Sequence, residues 1–242
     1  VQERRASDPM VAFGLWAHRP IATANMASLL SGMAVIGLTT FLPMYVQAVL
    51  NRSALVAGFA LTVMVLGWPI GATIAARNFV RIGLRRTMLI GGALLPVGAV
   101  PFVLLNPASS PLVAGAGSLV MGFGMGFLSN AAIVIIQESV GWAERGAATA
   151  SNVFSRNLGS TLGAAVLGAV LNLSLGRTVS SDQIRSLIDH AGQLAGGAVA
   201  RARLDEALHL TFWTVLLIAV LTLLFSLLVP HVELQHATAP AE

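Results

Sequence analysis

Six long apolar stretches divide the chain, at about residues 22–49, 54–76, 87–105, 112–137, 146–175 and 208–229. Each approaches or exceeds the roughly 20 mainly apolar residues that a helix needs to cross a bilayer core. The breaks carry turn or charge signals: Asn-Arg-Ser at 51–53, an arginine cluster at 77–86, Asn-Pro-Ala-Ser-Ser-Pro at 106–111 and Gly-Trp-Ala-Glu-Arg-Gly at 141–146. Short alternating segments of the kind that build a membrane barrel are not visible. The prediction is an all-α membrane protein with six transmembrane helices. The first, fourth and fifth stretches exceed what a span needs, so they are expected to tilt or to project into water.

Polar residues fall unevenly among these spans. The third has no polar side chain between Met88 and Leu105, and the sixth has only small hydroxyls that can bond their own helix. Asn25, Ser28 and Gln47 lie in the first span, Asn130 and Gln137 in the fourth, and Asn152, Arg156 and Asn157 in the fifth. Polar groups at membrane depth face protein or a water-filled cavity. Spans one, four and five are therefore expected to face an interior, with three and six as lipid-facing supports. Asn25, Gln47, Asn130, Gln137, Asn152, Arg156 and Asn157 are the candidate cavity residues. Thr149, Asn152, Arg156 and Ser160 recur at spacings of three and four and form one stripe. Such a stripe can also face another helix alone.

Small residues point to close helix contact. Gly159 and Gly163 have the G-x-x-x-G spacing that lets backbones approach, and Gly122, Gly124 and Gly126 cluster in span four. Pro43, Pro69, Pro96 and Pro101 lie inside spans, where a kink is tolerated if the freed carbonyls find partners.

Composition agrees with the membrane reading: 56% of the 242 residues are hydrophobic and 10% are charged. There is no lysine and no cysteine, so the net charge of +4 comes from arginine, and thiolate chemistry and disulfides are excluded. The spans are read as holding no histidine, no paired carboxylates and no metal-ligand cluster, which leaves enzymatic acid–base or metal chemistry no place. No cofactor is expected. Arg4, Arg5, Arg19, Arg77, Arg81, Arg85, Arg86 and Arg145 collect on one side, and arginine in short loops marks the cytoplasmic face. Both termini are thus expected in the cytoplasm. Arg77, Arg81, Gly83, Arg85 and Arg86 form a candidate cytoplasmic gate or anchor loop near anionic headgroups. A nucleic-acid patch belongs on a polar, soluble domain, and this cluster is flanked by apolar helices on both sides.

The expected organisation is a cytoplasmic linker and amphipathic lead at 1–21, helices one to five within 22–176, and an extracytoplasmic amphipathic segment at 177–206. Helix six follows at 207–230, and a cytoplasmic tail at 231–242. The chain opens on Val1 without a cleavable-signal pattern and is expected to begin within something longer.

Several segments together resemble the second half of a major facilitator superfamily transporter, in its fourteen-span drug:proton antiporter branch. Residues 8–33 look like the amphipathic lead and first helix of that half. Residues 41–61 are similar to a span end, short outer loop and re-entry, and residues 144–168 to an E-R-G loop followed by R-x-x-G-x-x-x-G. The loop at 77–88 resembles the family's Gly-x-Leu-Ala-Asp-Arg-x-Gly-Arg-Arg through Arg81, Gly83, Arg85 and Arg86, but Ala76 replaces the first Gly and Val80 the Asp.

The resemblance implies proton-coupled export of lipophilic or drug-like small molecules by alternating access, against an N-terminal half of the same transporter that supplies the coupling acid. Membrane lipid, protons and a small-molecule substrate are the implied partners, and a bacterial plasma membrane the implied location. A six-span homo-oligomer acting as a pore, or as a non-transporting scaffold or sensor, is the alternative. None of the ten acids is expected at mid-depth: Asp205 and Glu206 are assigned to the outer segment, and Glu138 and Glu144 to a cytoplasmic end.

Overall fold

The computed structural model describes residues 13–176 and 197–232. Within them the chain forms α1 (Arg19–Met44, continued by a π-helical turn at Tyr45–Val49), α2 (Ala54–Ile82), α3 (Leu84–Val103), α4 (Pro111–Glu138), α5 (Arg145–Leu175) and α6 (Gly197–Leu227). All six are long and apolar enough to cross a membrane. Residues 1–12, 177–196 and 233–242, which hold the start of the amphipathic lead, most of the outer segment and most of the tail, lie outside the described residues.

Local chemistry sets the helix ends. Pro111 opens α4, and the Ser110 hydroxyl accepts from the Leu112 amide at 3.3 Å, a serine cap before a proline at the first helical position. Gly83 both ends α2 and begins α3 with φ +85°, a value that disfavours any side chain. The expected arginine loop is therefore a one-residue corner. Arg77 and Arg81 lie in the last turns of α2, and Arg85 and Arg86 in the first turn of α3. The sixth helix begins at Gly197, so residues 197–206, expected in the outer segment, are helical and continuous with the span.

Glycine lets the helices approach. A Cβ on Gly67 would stand 3.0 Å from the Leu119 carbonyl oxygen, and one on Gly71 2.7 Å from that of Phe123, fixing α2 on α4. Gly159 and Gly163 do the same for α5 on α1, against the backbones of Leu29 and Met33. In return Gly32 of α1 meets the Arg156 carbonyl and Gly122 of α4 meets that of Met64. The two sets are related by constant offsets, 90 residues from α1 to α4 (Gly32 to Gly122) and 92 from α2 to α5 (Gly67 to Gly159, Met64 to Arg156). The bundle is thus two copies of a three-helix unit, α1–α3 and α4–α6, packed crosswise.

This repeat fixes the layout. α1 and α4 form the centre, with 56% and 67% of their apolar windows buried, whereas α2 and α5 each have 28%. α3 packs on α4, α6 on α1, and α3 and α6 on each other. Buried Thr211, Thr222 and Ser226 of α6 each donate to the carbonyl four residues back. The polarity reading had placed spans one, four and five inward. In the structure α5 shares the least-buried position with α2, a helix that carried few polar signals.

Candidate functional site

α2 and α5 are the least-buried helices of the bundle, and a cation–aromatic contact bridges them. The Arg156 guanidinium of α5 lies 5.7 Å from the ring centroid of Trp68 on α2. Both side chains are half-buried. Arg156 is the twelfth residue of α5, about 16 Å along the helix from its start at 1.5 Å per residue. A charge at such depth is costly unless solvated or paired. Among the described residues no carboxylate reaches it, and the aromatic face supplies a partial, orienting attraction. The repeat counterpart of Arg156 is Met64, so the cation stands on one flank only.

The other candidates divide. Asn157, the residue after Arg156 on α5, is exposed. Asn130 donates from α4 to the Ala72 carbonyl of α2 at 2.9 Å, next to the turn that holds Pro69 and Thr73. Gln137 donates to the Thr149 hydroxyl at 3.1 Å, tying α4 to α5. Asn25 and Asn152 do not line an opening. Asn152 Nδ2 donates to Asn25 Oδ1 at 3.0 Å and to Ser28 Oγ at 2.8 Å, and Asn25 donates to Ser151 Oγ, which also accepts from Trp16 Nε1. Both amides are buried at the α1–α5 contact, so this part of the stripe faces a helix. Gln47 donates to the Pro43 carbonyl at 3.3 Å, one turn back along the same helix end. Nothing in the sequence distinguishes these uses, because spacing sets the face of a helix and not its partner.

At the end of the bundle where α2 meets α3, Arg85 donates to the Leu227 carbonyl at 3.2 Å and caps the C-terminus of α6, where a cation is favoured. Arg77, Arg81 and Arg86 are exposed. Arg145 pairs with Glu138 at 3.2 Å across the α4–α5 connection and lies 5.4 Å from the Trp142 ring. A depression of about 360 Å³ on α2 is lined by Pro69, Ile70, Thr73, Ile74 and Arg77.

Two elements escaped the sequence reading. The sequence does not separate a cavity role for Trp68 from a packing or interfacial one, and the structure sets its ring beside Arg156. His209 lies inside α6 and corrects the description of the spans as free of histidine.

Six apolar helices arranged as a crosswise three-plus-three repeat, with a lone polar flank on one side, define an integral membrane protein of the transporter type. The Major Facilitator Superfamily profile matches residues 2–164, and the chain belongs to that superfamily. This is a family of transporters and not of enzymes. The chain is 32% identical over 170 residues to Multidrug resistance protein 3 of Bacillus subtilis, covering 70% of this chain and 33% of that protein. It is 26% identical over 203 residues to Multidrug transporter protein MdtP of the same organism, covering 84% and 37%. The matches thus span about a third of these relatives' length. Among solved structures, the fucose:proton symporter FucP of E. coli superposes with a TM-score of 0.70 at 18% identity, over 89% of this chain and 50% of that one. That likeness shows the fold.

Proposed function

We propose that the chain is the C-terminal six-helix half of a fourteen-span drug:proton antiporter that exports lipophilic or drug-like small molecules by alternating access in a bacterial plasma membrane. The observation that carries the reading is the open α2–α5 side, where half-buried Arg156 and Trp68 meet at mid-depth between two helices whose outer surfaces lack partners. A second six-helix bundle covers those surfaces, and the substrate binds between the bundles. The multidrug names of two relatives support the substrate class. Both termini lie in the cytoplasm, with Arg77, Arg81, Arg85 and Arg86 at the cytoplasmic edge.

The partner half supplies the coupling carboxylate. Among the described acids, Glu138 ends α4, and Asp205 lies 22 residues before Leu227, about 33 Å along α6 and at the far edge of a bilayer core. The test is reconstitution in liposomes with an imposed pH gradient and a lipophilic cationic dye. Gradient-driven, protonophore-sensitive dye movement is expected with both halves present and absent with this chain alone. Movement by this chain alone, above empty liposomes, overturns the half-transporter reading.

A further inference from the structure

The end of the bundle opposite the arginine corner holds a cluster of titratable side chains that the transport reading does not use. His209 Nε2 of α6 stands 3.4 Å from Asp205 Oδ1, one turn earlier on the same helix, and 3.5 Å from the hydroxyl of Tyr45. Tyr45 is fully buried and begins the π-helical turn Tyr45–Val49 that closes α1 just after Pro43. Its ring lies 5.9 Å from the His209 ring and 5.5 Å from that of Phe212, which in turn meets Phe102 of α3 at 5.9 Å. The cluster is apolar on one side and half-exposed on the other, since Asp205 and His209 keep 24% and 29% of their side-chain surface open.

Two further observations mark the cluster as incompletely satisfied. Asp205 Oδ1 is buried and makes no hydrogen bond in this geometry, and neither does the buried Nε of Arg201, one turn before Asp205 on α6. Arg201, Asp205 and His209 follow each other at i, i+4 and i+8 and so share one face. Of the helices packed on α6, α1 offers only Tyr45 beyond Arg19, while α3 beyond Arg86 and α5 beyond Arg156 carry no ionisable side chain. On α6 itself, exposed Arg203 and Glu206 pair with each other at 3.4 Å. Arg52, in the loop after the π turn, is exposed.

We propose that Asp205, His209 and Tyr45 form a proton-binding site that ties α6 to the π-helical end of α1. Imidazole is the side chain that changes charge between about pH 5 and 8. When His209 is neutral with Nε2 bare, that nitrogen accepts from the Tyr45 hydroxyl and offers nothing to Asp205. When a proton from water adds at Nε2, the nitrogen becomes a donor. The imidazolium then donates to the Asp205 carboxylate, and the Tyr45 hydroxyl turns from donor to acceptor or reorients towards Asp205. One proton thereby gives Asp205 Oδ1 a charged donor beside the Tyr45 hydroxyl, which already interacts with that carboxylate, and removes the acceptor from the Tyr45–His209 hydrogen bond that joins the two helices. The π turn makes the end of α1 an irregular stretch of the kind often found at functional sites. This site is independent of the transport reading, since it requires no second bundle.

Tyr45 is the single tyrosine of the chain, so a tyrosine labelled with carbon-13 at Cζ reports this hydroxyl in one resonance. The full chain in lipid nanodiscs is titrated from pH 5 to 8.5. The resonance is expected to move along a one-proton curve and to become pH-independent in His209→Gln. A wild-type resonance that stays fixed across this range overturns the proposal, as does an unchanged response in His209→Gln. A nitrogen-15 histidine spectrum, taken with His18, His190, His231 and His236 replaced by Gln, decides the same point with the cluster intact. Coincident midpoints for His209 and Tyr45 support the site, and separate midpoints overturn it.

Discussion

Replacing Gly159 with alanine drives a methyl group into the backbone of α1. The new Cβ collides with the Leu29 carbonyl oxygen and comes within 2.7 Å of its carbon and 2.9 Å of its Cα. Backbone atoms cannot rotate away as a side chain does, so α5 must separate from α1. Overpacking of this kind costs about 1–3 kcal/mol. The separation also stretches the Asn152 bonds to Asn25 and Ser28, each interhelical bond contributing about 0.6 kcal/mol in a membrane bundle. Alanine returns about 1 kcal/mol through helix propensity, which leaves a net loss of about 1–3 kcal/mol. Gly168, on the same helix, has nothing within 4 Å of its Cβ position, so Gly168→Ala keeps only the propensity gain. Reversible unfolding of the purified chain in mixed micelles of increasing SDS measures both variants. Gly159→Ala is expected to unfold at lower SDS than wild type and Gly168→Ala at equal or higher SDS. Equal shifts for the two variants refute the close α1–α5 contact.

In the paired transporter, Arg156→Ala is expected to abolish dye transport at unchanged membrane abundance, with Trp68→Ala impaired less, whereas Arg177→Ala leaves transport intact; an active Arg156→Ala protein removes its central role. Arg85→Gln loses the cap on the Leu227 carbonyl and is expected to cost about 0.5–1 kcal/mol in the same unfolding assay, while exposed Arg81→Gln costs nothing measurable. Equal losses for the two would place Arg85 in headgroup anchoring instead of capping. Asn152→Ala leaves Asn25 and Ser28 without their shared donor and is expected to destabilise the chain by about 1–2 kcal/mol in that assay.

The spans were legible because lipid rewards uninterrupted apolar runs, a signal that survives without any knowledge of neighbours. Gly159 and Gly163 were legible for a related reason, since their spacing alone announces backbone approach. Gly67 and Gly71 carry the same spacing but bracket Pro69, whose own signal is a kink. The internal repeat was not visible. Its conserved currency is a few glycines at constant offsets, and the residues between them differ, as Arg156 and Met64 do. Asn25 and Asn152 were expected to line a cavity, and the structure pairs them with each other at the α1–α5 contact, because polarity in a span marks an inward face without naming the partner. Arg201, Arg203, Asp205 and Glu206 were expected in an amphipathic segment outside the membrane, because four charges in six residues interrupt the apolar run of a span. In the structure they ride on the first turns of α6, and this carries His209 and Asp205 against Tyr45.

The claim at the centre of this account is that the α2–α5 side, and not the α3–α6 side, borders the substrate cavity. The chain contains no cysteine, so a single introduced cysteine is the one thiol it contributes, and the cysteine-free parent transporter serves as the blank. Exposed Asn157 of α5 reports the first side, and Leu217 of α6, 58% exposed, reports the second. Each variant, within the whole transporter in membrane vesicles, is treated with a charged, water-soluble methanethiosulfonate. Rapid reaction at Asn157→Cys, slowed by transported substrate, with no reaction at Leu217→Cys, is the predicted result. Equal protection of both positions, or faster reaction at Leu217→Cys, would contradict it.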